Sequence, residues 1–240
     1  MSKIAIVAAL EREVRPLVGE WAVCEREHAG RAYHFFEKDD VVVVCGGIGA
    51  AAARRAAEAV IALYAPALVY SAGFAGALGL SLKVGDVVQP RRVVNAGDGS
   101  GITLDHGEGL LVSFGSVASA EQKAKLRDSY GAQAVDMEAA GVAHAAQARG
   151  VGFGVVKVIS DESGFTFPSM ERFVDSEGRF LETRFALFAC LRPWLWPNVV
   201  RMARNSQKAS RALCEWLRNV NTVPISAIDG VQGMEAIPRR

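Results

Sequence analysis

Short, uninterrupted runs of apolar residues, separated by helix-forming segments, constrain the fold of this chain more than any other feature. The runs are IAIVAAL (4–10), VVVVCGG (41–47), ALVYSAG (67–73), VGDVV (84–88), GLLVSF (109–114) and GVVKVIS (154–160). Such runs are typical of strands that are buried on both faces. Residues 50–64 are rich in alanine, arginine and glutamate and predict a helix between two of these strands. The pattern therefore predicts an α/β fold in which helices cover both faces of a sheet.

The composition is that of an ordinary globular protein. Hydrophobic residues make up 50% of the 240 residues, charged residues 22%, and the formal net charge is +1. A charge so close to neutral gives no reason to expect a nucleic-acid partner. The four cysteines are scattered without metal-binding spacing, so no metal site is predicted. We find no signal peptide and no run of roughly 20 apolar residues, which predicts a cytoplasmic protein.

Residues 1–220 are predicted to form a single domain, because no internal repeat and no convincing linker divides them. The last part, residues 184–220, carries six arginines and one lysine against a single acid, Glu215. Apolar residues recur there at helical spacing, which predicts a basic amphipathic helix. Two interpretations stay open: contact with a membrane surface or a lipid-like substrate, or cover for the sheet or a subunit interface. Residues 221–240 are predicted to be a loosely held tail.

The glycine cluster GGIGAAA (46–52) follows a strand and precedes a helix, where backbone N–H groups can hold a phosphate. A dinucleotide site would also need an acid at the end of the next strand. That strand ends in Tyr70-Ser71-Ala72-Gly73 without an acid, which argues against NAD. A tight turn for close helix packing and a contact with a ligand both stay open.

Carboxylates stand at the ends of two predicted strands. Asp136 and Glu138 lie in AVDMEAAGVAHAA (134–146), where a strand meets a helix, and Asp161 follows GVVKVIS. A carboxylate in such surroundings must be paired, hydrogen-bonded or protonated. These acids are therefore candidates for chemistry, with capping of a helix or loop as the alternative.

Taken in order, these motifs resemble the nucleoside phosphorylase/nucleosidase superfamily, and within it the methylthioadenosine/S-adenosylhomocysteine nucleosidases. The matching segments are ALEREV, CGGIGAAAA, SAGFAGAL with LKVGDVV, AVDMEAAGVAHAA and VVKVISDESG. The resemblance implies a three-layer sandwich with a mixed central sheet, a homo-oligomer, and cleavage of the N-glycosidic bond of a 5′-modified adenosine-type purine nucleoside. The short stretch between Asp86 and Leu110 and the segment DSEGRF…RPWLWPNVVRMARNSQKASRAL also resemble the hopanoid-associated phosphorylases. This implies phosphate-dependent cleavage of adenosylhopane as an alternative. A non-catalytic nucleoside-binding protein is a remote alternative.

The resemblance implies roles for individual residues. Asp161 matches the aspartate that protonates or hydrogen-bonds purine N7 as the base leaves, and such general acid help contributes about 10²–10⁴ in rate. Glu138 matches the glutamate that binds the ribose 2′ and 3′ hydroxyls, and Met137 is expected to pack on the ribose. Asp136 lies outside this pattern and is expected to be structural.

The resemblance leaves water and phosphate open as the nucleophile. Glu13 matches the glutamate that activates water in the hydrolytic branch, although Glu11 is equally available at this helix start. Ser71 stands where the phosphorylases keep an arginine for phosphate. Arg12, Arg15 and Arg54 could replace it, and Arg15 is the preferred candidate. Phosphate is thus a possible co-substrate, and no metal or organic cofactor is implied.

The resemblance also implies substrate-binding roles for Ser160, Gly73, Phe74 and Val117. Two of these positions depart from the family pattern. Phe74 replaces a serine of the glycine motif, and Val117 stands where an aromatic residue for stacking on the purine is expected. Lys157 replaces an arginine of the last strand. These departures put the base contacts and the 5′-substituent in doubt.

Overall fold

The computed structural model describes residues 3–165, 170–175 and 177–219, so the tail predicted at 221–240 lies outside it. The strands are β1 (Ile4–Ala8), β2 (Ala22–His28), β3 (Arg31–Lys38), β4 (Val41–Cys45), β5 (Leu68–Ala77), β6 (Val87–Val88), β7 (Arg92–Asn95), β8 (Gly101–Thr103), β9 (Leu110–Ser113), β10 (Ala134–Asp136) and β11 (Gly152–Asp161). The helices are α1 (Glu11–Val18), α2 (Ala50–Tyr64), α3 (Ala120–Tyr130), α4 (Ala139–Ala148), α5 (Glu182–Cys190) and α6 (Trp196–Arg218). Short 3₁₀ turns span Met170–Phe173 and Pro193–Leu195.

The strands form one mixed sheet in the order β2-β3-β4-β1-β5-β10-β9-β7-β8. Strand β1 runs parallel to β4 and β5, and β11 runs parallel to β5. Strand β10 is antiparallel to β5 but parallel to β9. The long strand β5 is therefore the centre of the sheet, and the predicted mixed sheet is confirmed.

Helices cover both faces of this sheet, as the continuous apolar runs predict. Along β1, Ala5 and Val7 belong to a core with the alanines of α2 and α4. The alternate residues Ile4 and Ile6 belong to a second core with residues of α1 and α6. Because successive strand residues point to opposite faces, a strand buried on both sides needs apolar residues throughout. The three-layer sandwich is confirmed.

The basic segment predicted as one helical element at 184–220 is divided in the structure into α5, a 3₁₀ turn and the longer helix α6. Its residues Ala209, Leu213 and Leu217 are buried in the second core. The Ser210 hydroxyl donates to the backbone oxygen of Glu13, 2.9 Å away. The second half of α6 therefore covers the sheet and supports α1, in line with the covering interpretation for this half.

The structure differs from the sequence expectations in three segments. The hairpin β2–β3 was not expected, and its tight turn places Ala29 and Gly30 at positive φ. The predicted strand 84–88 is reduced to β6, and the predicted loop at 95–109 contains β8. Strand β6 is defined by its pairing with β11, and β8 by its pairing with β7. Local sequence reveals neither partner.

Candidate active site

A cavity of about 180 Å³ opens where β1, β5, β10 and β11 end, and it collects most of the sequence-predicted site residues. Those lining it are Glu13, Phe74, Val117, Met137, Glu138, Ser160 and Asp161. Arg12, Ile48, Gly76, Lys123 and Asp136 also line it. Residues from distant parts of the chain therefore meet at one edge of the sheet. This edge is the usual place for a ligand in a largely parallel α/β sheet.

Two glycines of β5 make room for two of the carboxylates. A Cβ atom added at Gly73 would lie 2.9 Å from Glu13 Oε2. One added at Gly76 would lie 3.0 Å from Asp161 Oδ2. The first distance is shorter than real Cβ contacts and the second is tighter than nearly all of them, so a side chain at either position would push an acid aside. This gives Gly73 its place in the site, since it admits Glu13.

Glu13 is a buried acid with little to neutralise it. It lies in the first turn of α1, its side chain is 6% exposed, and Oε2 has no hydrogen-bond partner among the described residues. Burial, and then the charge of Glu138, raise its pKa to about 7. Near neutral pH this carboxylate can therefore exchange a proton, which is the property that a general base needs.

Glu138 and Asp136 share one buried cation, Lys157. The Lys157 Nζ atom lies 2.8 Å from Asp136 Oδ2 and 3.9 Å from Glu138 Oε2. Burial alone would lower the pKa of Lys157, but Asp136 and Glu138 raise it overall, so the lysine stays charged. Burial raises the pKa of Glu138, against the opposing charge of Lys157.

The start of α4 fixes the position of these two acids. Asp136 accepts hydrogen bonds from the Ser113 hydroxyl at 2.6 Å and from the amide of Ala139 at 2.8 Å. It therefore caps the helix, in keeping with the structural role expected for it. Glu138 Oε1 accepts from the amide of Gly49 at 2.9 Å, so the glycine cluster before α2 contacts a site residue. In the same cluster, a Cβ at Gly46 would lie 2.6 Å from Ala56 Cβ, which also supports close helix packing.

Asp161 stands at the end of β11, where the register of pairing with β5 shifts between Ile159 and Asp161. Such an irregularity re-aims a side chain at a strand end. The Ser160 hydroxyl donates to Asp161 Oδ1 at 2.7 Å, and Lys123 forms an ion pair with Oδ2. Lys123 is 2% exposed and also donates to the backbone oxygen of Glu162 at 2.8 Å. Each carboxylate oxygen of Asp161 thus has a neighbouring side-chain donor that fixes its position.

The candidate phosphate residue Arg15 is exposed and is not among the described residues that line the cavity. Arg12, on the same helix, does line it, and its guanidinium carbon lies 4.8 Å from the ring centre of Phe180. Ser71 is fully buried, and its hydroxyl has no hydrogen-bond partner within the described ranges. Within those ranges, no group of three or more His, Cys, Asp or Glu could hold a metal ion.

Sequence reasoning did not identify Lys123 as a site residue and did not show that Lys157 pairs with Asp136. Lys123 lies on α3, a helix that was not predicted, although the segment Ser119–Gln122 carries a signal for its start. The Ser119 hydroxyl accepts from the amide of Gln122, and the Gln122 side chain accepts from the amide of Ser119. This capping box could have located α3. Nothing in the sequence distinguishes the buried Lys123 from the exposed Lys125.

Comparison with known protein families identifies the class of this chain. The model of the phosphorylase superfamily matches residues 3–115 and 106–189. The chain therefore belongs to the phosphorylase superfamily, as its sequence motifs predict. With its nucleosidase relatives, this membership marks it as an enzyme of N-ribosyl hydrolysis or transfer.

Individual nucleosidases are similar in sequence to most of this chain. The 5′-methylthioadenosine/S-adenosylhomocysteine nucleosidase of Actinobacillus succinogenes is 30% identical over 206 residues, which are 69% of this chain and 90% of that protein. The nucleosidase of a Staphylococcus aureus strain is 28% identical over 210 residues, 72% of this chain and 92% of that protein.

Solved structures share the fold. The corresponding nucleosidase of Helicobacter pylori superposes with a TM-score of 0.69 at 19% identity, covering 92% of this chain and 99% of that one. Futalosine hydrolase of the same organism gives 0.68 at 20% identity, covering 92% and 98%.

Proposed function

We propose that the protein hydrolyses the N-glycosidic bond of a 5′-modified adenosine nucleoside and releases adenine. The observation that carries this proposal is Glu13, a buried acid with an unpaired oxygen, in the same cavity as Glu138 and Asp161. Its pKa of about 7 matches the requirement that a general base be poised near the working pH. The nucleosidase relatives support the same reaction.

In the proposed reaction a water molecule attacks C1′ of the ribose and gives a proton to Glu13. The bond between C1′ and N9 breaks while the new C1′–O bond forms. Asp161 hydrogen-bonds N7 and passes it a proton taken up from solvent, so that the base leaves as neutral adenine, and Glu13 later returns its proton to solvent. Glu138 accepts hydrogen bonds from the ribose 2′ and 3′ hydroxyls, where a charge-assisted bond is stronger than a neutral one. Its negative charge also favours the positive charge that develops on the sugar.

Phosphorolysis is the second candidate, because Arg12 and Lys123 bring positive charge to the cavity. Lys123 is already paired with Asp161, which leaves Arg12 as the side chain best placed to contact a phosphate. The hopanoid-associated alternative would need this route. The relatives described above are nucleosidases and favour water.

The test is to incubate the purified protein with methylthioadenosine, with adenosylhomocysteine and with 5′-alkyl adenosines, in phosphate-free buffer and with added phosphate. We expect adenine and free sugar to form at a rate that phosphate does not change. Adenine release that requires phosphate and yields ribose 1-phosphate would show that the hydrolytic proposal is wrong. Binding of a nucleoside without any release of base would favour the non-catalytic alternative.

Glu13→Gln tests the general base directly, and we expect a loss of about 10²–10⁴ in kcat. Glu11→Gln is the matched control, because Glu11 begins the same helix but is exposed. Equal losses in both variants would remove Glu13 from this role. Homo-oligomerisation and a cytoplasmic location stay predictions.

A further inference from the structure

The exposed apolar side chains of this protein are concentrated on one short segment. The described part of the chain has nine large hydrophobic residues with exposed side chains, and five of them lie between residues 187 and 200. They are Leu187, Leu191, Trp194, Trp196 and Val200. Trp194 is 71% exposed and Leu191 67%. Single exposed apolar residues are normal, but a cluster marks an interaction site.

These five residues lie on connected elements. Leu187 and Leu191 are four residues apart across the end of α5, so they are neighbours on its surface. The Trp196 indole N–H donates to the backbone oxygen of Ala189 at 3.0 Å, which holds the start of α6 against α5. Val200 lies one turn further along α6, beside a surface hollow of about 470 Å³ that Arg201 and Arg204 also line.

Positive charge surrounds this apolar cluster. Residues 183–214 contain six cations and no acid, although the whole chain has a formal net charge of only +1. The cations are Arg184, Arg192, Arg201, Arg204, Lys208 and Arg211. Arg184, Arg201 and Arg204 are exposed. We call the five apolar residues and the four arginines Arg184, Arg192, Arg201 and Arg204 the arginine–tryptophan surface.

We propose that the arginine–tryptophan surface docks onto membranes that carry anionic lipids. Tryptophan is enriched at the boundary between lipid and water, and arginine is attracted to lipid phosphates. Leucine and valine side chains beside them can enter the outer acyl layer, as in interfacial helices. The described part of the chain contains no helix that is long and apolar enough to span a bilayer.

A second copy of this chain fits the surface less well than a membrane does. In a two-fold interface the same patch lies on both sides, so the arginines of one copy would face those of the other. No acid between residues 183 and 214 could separate them. Two carboxylates border this surface: Glu182 begins α5, and Glu162, which follows Asp161 directly, lies 3.7 Å from Arg201. Docking would thus bring the active-site edge of the sheet towards the lipid.

The experiment is co-sedimentation of the full chain with vesicles of phosphatidylcholine, and with vesicles that also contain phosphatidylglycerol. We expect binding only to the anionic vesicles, weakened by added salt. Trp194→Ser should lower the partition coefficient by about tenfold or more, since a tryptophan ring buries a large apolar area. Arg204→Ser should lower it by about fivefold, the effect expected for one basic residue near an anionic surface.

Leu80→Ser and Arg149→Ser are the matched controls, because both residues are exposed and lie outside the arginine–tryptophan surface. Both should keep the binding of the unaltered protein, and all four variants should keep its melting temperature and adenine release in solution. Absence of binding to anionic vesicles, or equal losses in the controls, would overturn the proposal. Light scattering that shows Trp194→Ser splitting an oligomer would instead make the surface an interface between copies.

Discussion

Glu13 and Asp161, two carboxylates of the active-site cavity, are held in opposite ways. Glu13 has one oxygen without any partner in the described structure, while both oxygens of Asp161 accept from neighbouring side chains. Lys123, a buried cation, touches Asp161 directly. Two cations act on Glu13, Lys157 and Arg12, and Lys157 is already engaged by Asp136 and Glu138.

This difference separates the roles of the two acids. Burial, and then the charge of Glu138, raise the pKa of Glu13 to about 7, so this acid can take a proton from water. Asp161 has donors on both sides, which orient it towards a leaving base. Pairs of carboxylates in contrasting environments are the usual way in which one site performs acid and base steps.

Asp161→Asn is expected to give the largest effect. The amide cannot protonate N7, so kcat should fall by about 10²–10⁴ while a substrate analogue still binds. Turnover and analogue affinity are measured together. Glu162→Gln is the control, since Glu162 is adjacent but makes only a distant ion pair with Arg201. Near-normal turnover in Asp161→Asn would show that Asp161 does not protonate the leaving base.

Lys157→Met should destabilise the fold. It leaves Asp136 and Glu138 buried without their cation, and breaking a buried pair in this way costs about 3–5 kcal/mol. The free energy of unfolding, measured by denaturant titration, reports the loss. Lys83→Met at an exposed position is the control and should change little. An unchanged free energy for Lys157→Met would mean that Asp136 and Glu138 do not need their cation.

Lys123→Met tests whether the pairing of Asp161 matters for chemistry. Asp161 would keep only the Ser160 donor, and a loss of its orientation should lower kcat by about 10- to 100-fold with little change in KM. Lys123→Arg should restore part of the rate. Lys125→Met, two residues along the same helix and exposed, is the control. A change confined to KM would contradict a role in positioning Asp161.

A further prediction concerns the pH dependence of activity. The ionised fraction of Glu13 grows up to its pKa of about 7, so kcat/KM should rise about tenfold per pH unit below that value and then level off. Glu13→Gln should lack this rise. A rise that persists in the variant would assign it to another group.

Glu13 should also affect the pH dependence of stability, but in the opposite direction: its contribution to stability falls over the pH range in which activity rises. The pKa of Glu13 is higher in the folded protein than its usual 4.5, so the folded state binds more protons between these values. Its contribution is fully present below about pH 4.5 and is lost as pH rises to about 7. The free energy of unfolding, compared with that of Glu13→Gln across this range, measures the loss. A difference that does not change with pH would show that the pKa of Glu13 is not raised.

What the sequence by itself determined is local. It located α2 at residues 50–64, as the structure has it, and it placed Asp161 at a strand end and Glu138 at a helix start. These features depend on the periodicity of apolar residues and on neighbours a few positions away, which a sequence displays directly. The motif resemblance added Glu13, and the structure brings it into the same cavity as the other two acids.

Only the tertiary structure decided which charges meet. Lys123 and Asp161 are 38 residues apart in the chain, and Lys157 on β11 pairs with Asp136 at the end of β10. The hairpin β2–β3 and the short strands β6 and β8 depend likewise on pairing with other strands. Burial and the distance to distant charges set the proton affinity of an acid, and both arise only when remote elements pack. The unpaired oxygen of Glu13 is the result that no local pattern could give.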